Sequence, residues 1–96
     1  MEKKMYAVVY LFEGYDDNLP YSNVLGVYSN IERARAEMLE NVAIDCEVLE
    51  DEDDEFFGYR NFEIHKQYEN DVVLHHKHYT DCYTKYTIQL VDVFLK

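Results

Sequence analysis

Eight carboxylates fall between Asp45 and Glu55 (DCEVLEDEDDE), with no base among them. Fully extended, the run spans at most about 36–40 Å. Gathering like charges in a fold costs energy unless cations or a basic partner offset them. Calcium is a poor match, because the run lacks the spaced oxygen ligands and central glycine of a calcium loop. The stretch Glu13–Asn18 (EGYDDN) is too short and lacks a terminal bidentate glutamate. Two readings remain, a solvated acidic loop or a surface that meets a basic partner. The second would use Glu47, Glu50, Asp51, Glu52, Asp53, Asp54 and Glu55, joined by Asp16 and Asp17. Phe56, Phe57 and Tyr59 adjoin the run and are expected to serve as anchors for a partner's arginines.

His75, His76 and His78, with Cys82 and the more distant His65, invite a zinc reading. In a strand His76 and His78 share a face and His75 points the other way. No CxxC or helical HExxH frames them, so they read as structural histidines, and no metal or other cofactor is expected. Cys82 follows His78 by four residues, but nothing marks an oxyanion hole or an orienting acid. Cys46 sits among carboxylates, which disfavour its thiolate. Gly14, Gly26 and Gly58 are isolated, so there is no phosphate-cradling loop. No catalytic residue is assigned, and the chain is not expected to be an enzyme.

The elements that must hold these groups are legible in outline. Met5–Phe12 (MYAVVYLF) is apolar on both alternating faces and reads as a strand buried on both sides. A turn over Gly14–Pro20 leads to a second strand, Ser22–Tyr28. Ser29 with Glu32 fits a capping box, opening a helix whose inner face is Ile31, Ala34, Met38 and Val42, widened by Leu39. Arg33 and Glu37 would pair across one turn, and Cys46 and Leu49 could extend the inner face. Phe62–His65 alternates like a half-buried strand, Val72–Tyr79 is another, and Lys85–Leu95 is a long last one. The apolar set changes parity along that last strand, which a bulge near Leu90–Asp92 would reconcile. Tyr6, Tyr10, Tyr28, Tyr79, Tyr83 and Tyr86 are expected to fill or border the core. The order is β-β-α-β-β-β: a single α+β domain over residues 1–96, one helix packed on a mostly antiparallel sheet.

Composition narrows the function. Twenty acids against nine bases give a net charge of −11, with 48 % hydrophobic and 16 % aromatic residues. That apolar content argues for a folded core despite the charge. The charge argues against direct binding to nucleic acid or docking on an anionic membrane. No run approaches the roughly 20 apolar residues of a membrane span. The N-terminal apolar run has no small-residue cleavage site, and two cysteines are too few for a disulfide framework. A cytoplasmic protein with reduced thiols is expected.

Gly26–Ala34 (GVYSNIERA) resembles the strand-cap-helix junction of small proteins of phages and other mobile elements. With its short length, acidity and abundant Tyr, Asp and Asn, the chain is similar to anti-restriction and anti-CRISPR inhibitors. The resemblance implies action in the host cytoplasm, by occupying a nucleic-acid site on a host defence enzyme. The expected partner is therefore a basic protein that normally binds nucleic acid, approached as a DNA mimic. A domain of this length should be about 32 Å across, where duplex DNA carries on the order of 19 phosphates. Mimicry then requires segregated acids, with Lys3, Lys4, Arg33, Arg35 and Lys77 away from the working face. A homodimer stays open. The alternative function is a homo-oligomer that binds or sequesters a small ligand such as a nucleotide, using the Tyr- and His-rich segment Tyr68–Tyr86.

Overall fold

The computed structural model describes residues 2–13 and 21–94; the expected turn over Gly14–Pro20 lies outside them. In chain order come β1 (Glu2–Glu13), β2 (Tyr21–Tyr28), α1 (Ile31–Asp45), a single 3-10 turn (Phe57–Tyr59), β3 (Phe62–Gln67), β4 (Asp71–His76) and β5 (Tyr83–Phe94). The strands form one sheet in the order β2-β1-β5-β4-β3, and every neighbouring pair is antiparallel. The class is α+β, as the element order implies. The segment from α1 to Asn61 carries the chain from one edge of the sheet to the other, so the acidic run belongs to the crossover.

Alternation in β1 sorts its residues between two different environments. Val8, with Tyr6, Tyr10 and Phe12, faces α1, where Ala34, Met38, Val42, Phe62, Val72, Leu74, Cys82 and Tyr86 complete the core. Met5, Ala7, Val9 and Leu11 point the other way. No described element covers that second face, and Leu11 at its end is exposed. On that face Ala7, in mid-strand, is nonetheless only 4 % exposed and Met5 and Val9 are half-buried, so the expected burial on both sides holds only around Ala7.

β1 and β5 pair without interruption from Glu2↔Phe94 to Glu13↔Tyr83. The bulge expected at Leu90–Asp92 is absent, and Leu90 and Val91 stay exposed, the former at 56 %. Lengths explain this. A 15-residue helix runs about 22 Å, whereas 12-residue strands run about 40 Å, so the helix cannot shelter the far end. The register shifts fall on the outer strands instead, at Leu25 in β2 and His65 in β3. The principal extents are 51 × 27 × 22 Å, longer than the expected 32 Å for the same reason.

The cap of α1 is Asn30 rather than Ser29; its side chain accepts the Glu32 N–H at 2.7 Å. Asparagine caps as well as serine does, so composition did not separate the two. Arg33 does not pair with Glu37: its guanidinium lies 5.9 Å from the centroid of the Tyr28 ring. Arg35 bonds Glu32 at 3.2 Å, Glu69 at 2.8 Å and the Asn70 amide oxygen at 3.0 Å, tying the helix to the β3–β4 turn. Leu39 is 46 % exposed and does not widen the inner face. The helix stops at Asp45, where the Cys46 N–H bonds the Val42 carbonyl.

Candidate functional site

The acidic crossover is a folded loop organised by one buried amide. Asn61, only 1 % exposed, has a φ of 61°, in the left-handed region that asparagine tolerates better than most residues. Its N–H donates to the Glu47 carbonyl at 2.9 Å, and its side-chain oxygen accepts the Leu49 N–H at 2.9 Å. Its side-chain nitrogen donates to the Phe57 carbonyl at 3.4 Å, and its own carbonyl accepts the Lys77 N–H at 2.9 Å. Both ends of the loop are thus tied to the start of β3 and the end of β4.

Inside the loop, acids serve the backbone. The Asp51 carboxylate accepts the Asp53 N–H and the Asp54 carboxylate accepts the Phe56 N–H, both at 2.9 Å, as Asx turns. Glu50 through Glu55 are all exposed. Among the described residues none of the six makes an ion pair, whereas Glu47 meets Arg60 at 3.6 Å. Asp16 and Asp17, expected to join them, lie outside the described residues.

The three aromatic neighbours divide. Phe56 and Tyr59 are exposed, at 49 and 56 %. Phe57 is buried and cannot touch a partner, which corrects its place among the contact residues. Its ring packs 5.0 Å from that of His78 and 5.9 Å from that of His76. Its carbonyl lies 3.1 Å from His76 Nε2. His76 Nδ1 accepts the N–H groups of His78 and Tyr79, both at 3.0 Å. The ring is therefore neutral, with its proton on Nε2, and burial pushes its pKa down. Phe56 already carries a cation, because the Arg60 guanidinium lies 5.5 Å from its centroid. Lys77 was required to lie away from the acids, but its backbone joins Asn61 at the loop's root.

Beneath the loop lies a second group that sequence reasoning counted merely as the first acid of the run. Asp45, the last helical residue, accepts a hydrogen bond from the Tyr86 hydroxyl. Burial pushes Asp45 up to about 6, against the Tyr86 bond and the Arg60 charge. The helix C-terminus, with no base in its last turn, disfavours the ionised form further. Burial also raises Tyr86, and it pushes Tyr10, whose tilted ring is centred 5.2 Å away, up to about 12. Asp45 follows Val42 by three positions, so the helical periodicity that marks the core points at it too. The arrangement lets this carboxyl take up a proton in mild acid, near pH 6, where the helix meets the sheet.

The remaining candidates are separate. His75 meets Glu63 at 2.5 Å, with His65 5.1 Å away ring to ring, on the opposite side of the sheet from His76. Among the described residues no three His, Cys, Asp or Glu side chains are arranged to hold a metal ion. Cys46 and Cys82 are not joined in a disulfide. Burial, then Asp45, pushes the Cys46 pKa up. A hollow of about 430 Å³ lies at the end of the sheet between Leu11, Tyr21, Val73, Tyr83 and Lys85. No helix among the described residues is long and apolar enough to cross a membrane. No protein-family model, curated protein or solved structure matches the chain.

Proposed function

We propose that the chain is an acidic protein-interaction domain that occupies the basic groove of a protein which otherwise holds nucleic acid. The observation that carries this reading is the set Glu50–Glu55: six exposed carboxylates, unpaired among the described residues, on a loop whose backbone Asn61 and Phe57 fix. A loop ordered before contact loses less conformational freedom on binding than a disordered acidic tail does. Tyr59, exposed beside the charges, supplies a rim contact that arginines favour, whereas the Phe56 ring already carries Arg60. The long dimension of 51 Å matches about 15 base pairs of duplex. The acids sit toward one end of it, so the fit is to a short stretch of one strand. A host defence protein that normally binds nucleic acid is the partner class that the resemblance to phage inhibitors implies.

The test is binding to such a basic protein with Glu50→Gln, Asp51→Asn, Glu52→Gln, Asp53→Asn, Asp54→Asn and Glu55→Gln combined. The amide oxygens at 51 and 54 can still accept the two turn hydrogen bonds, so the loop keeps its shape. Affinity should fall by orders of magnitude and the steep salt dependence of the parent should flatten. Equal affinity for the folded variant overturns the proposal. A second reading rests on the hollow beside Tyr83 and Lys85, whose volume suits a small ligand. Nucleotides that raise the melting temperature of the parent, and not of Lys85→Ala, would favour it.

A further inference from the structure

The sheet carries a helix on one side, and among the described residues nothing covers the other. That bare face runs across β2, β1 and β5. Val24, Val27, Leu11, Tyr83 and Val91 are its exposed apolar residues, each 36–54 % accessible. Val24 sits opposite Val9, and Val27 opposite Ala7, so the apolar surface is continuous from the edge strand inward. β2 contributes no charge at all. Between Tyr83 and Val91 the apolar character is confined to β2 and β1: on the middle strand β5, Gln89, Thr87 and Lys85 stand opposite Ala7, Val9 and Leu11, and beyond them come Asp71 on β4 and the Glu63–His75 pair.

We propose that this face is the interface of a homodimer, with a second copy of the chain packed sheet to sheet about a two-fold axis. Charge selects both the surface and the mode. Two bodies of −11 repel most where acids meet acids. The acidic loop packs through Phe57 against His76, on the helix side of the sheet. Meeting through the bare face therefore sends both loops outward. The area is at the low end of the stable range: twelve-residue β1 and β5, with β2 and β4 beside them, present about 650 Å² in projection, before side-chain relief is counted. A standard interface buries roughly 800 Å² per partner. Two identical sheets share the same twist and can stack in the aligned manner of a sandwich. This inference does not depend on the acidic loop having a partner.

Sedimentation velocity at up to about 200 µM, in low salt and in about 1 M NaCl, tests it. The expected mass is twice 11.5 kDa, retained in high salt because apolar contact is not screened. Val24→Glu with Val91→Glu places like charges across the axis and should weaken association at least about 100-fold. Both side chains are exposed in the protomer, and circular dichroism verifies that the fold survives. Leu39→Glu, on the outer side of the helix, should leave the dimer intact. A parent that is monomeric throughout overturns the proposal and leaves the face to a different molecule. A dimer that survives the double variant overturns it too. So does a dimer whose β2 amides become protected from hydrogen exchange, because that pattern means edge-to-edge pairing.

Discussion

Asn61 donates its backbone N–H to the carbonyl of Glu47 across fourteen residues of acidic chain, from a left-handed conformation. That bond, with the three others Asn61 makes, converts a run of repelling charges into a closed loop. The energy that opposes gathering the acids is met by hydrogen bonds at the loop's base, away from the charges themselves.

Asn61→Ala should destabilise the fold by about 2–4 kcal/mol, combining left-handed strain with buried polar groups left unpaired. Asn61→Gly tolerates the dihedral and should cost about half as much. Urea unfolding of both distinguishes the contributions. Equal losses would mean that the backbone conformation contributes nothing.

Phe57 and Phe56 are neighbours with opposite fates. Phe57→Ala removes a buried ring and should cost about 3–4 kcal/mol. Phe56→Ala should stay within about 0.5 kcal/mol, since it loses an exposed stack on Arg60. Thermal melts read both, and a larger loss at Phe56 would contradict the burial pattern.

His76 should make stability fall in mild acid. Its folded pKa is depressed, so the unfolded chain takes up the proton first. Its contribution is complete above about 6.5 and declines as pH drops from there toward the folded value, by at most about 1.4 kcal/mol per pH unit. Denaturant midpoints of an Asp45→Asn protein between pH 7 and 5, free of the opposing titration of Asp45, should show that slope, and His76→Gln in the same background should reduce it.

Asp45 works in the opposite sense. Its folded pKa is raised from an ordinary 3.8 to about 6, so its contribution is full below about 4 and lost as pH rises to about 6. Asp45→Asn keeps an acceptor for Tyr86 and removes the charge. It should stabilise the fold at pH 7 by about 1–2 kcal/mol, after discounting for partial solvent access. Tyr86→Phe should destabilise it, because the carboxylate loses its donor. An Asp45→Asn protein less stable than the parent at pH 7 would show that the Arg60 attraction outweighs burial.

The sequence carried the class, the strands and the helix because alternation and the Ala34-Met38-Val42 stripe are strong local signals. What it hid was relational. Leu90 and Val91 have the pattern of buried strand residues, yet a helix too short for the sheet leaves them in water. Phe56 and Phe57 look alike in the chain; only the position of His76 decides which one is buried. Asp45 reads as one acid among eight until Tyr86, forty-one residues later, is placed beside it. For the loop, composition marked the charges but not the single asparagine that shapes them.

β3, one outer strand, is guarded by Glu63, His65, Lys66 and a bulge, whereas β2, the other, has its bulge but no ionic side chain. An outer strand so poorly defended is a template for polymerisation. What holds it in check is electrostatic repulsion between whole molecules, and that disappears near the isoelectric point of about 4.5. The negative surface is thus also a solubility device, and acidified or heavily neutralised preparations should be the ones that form fibres.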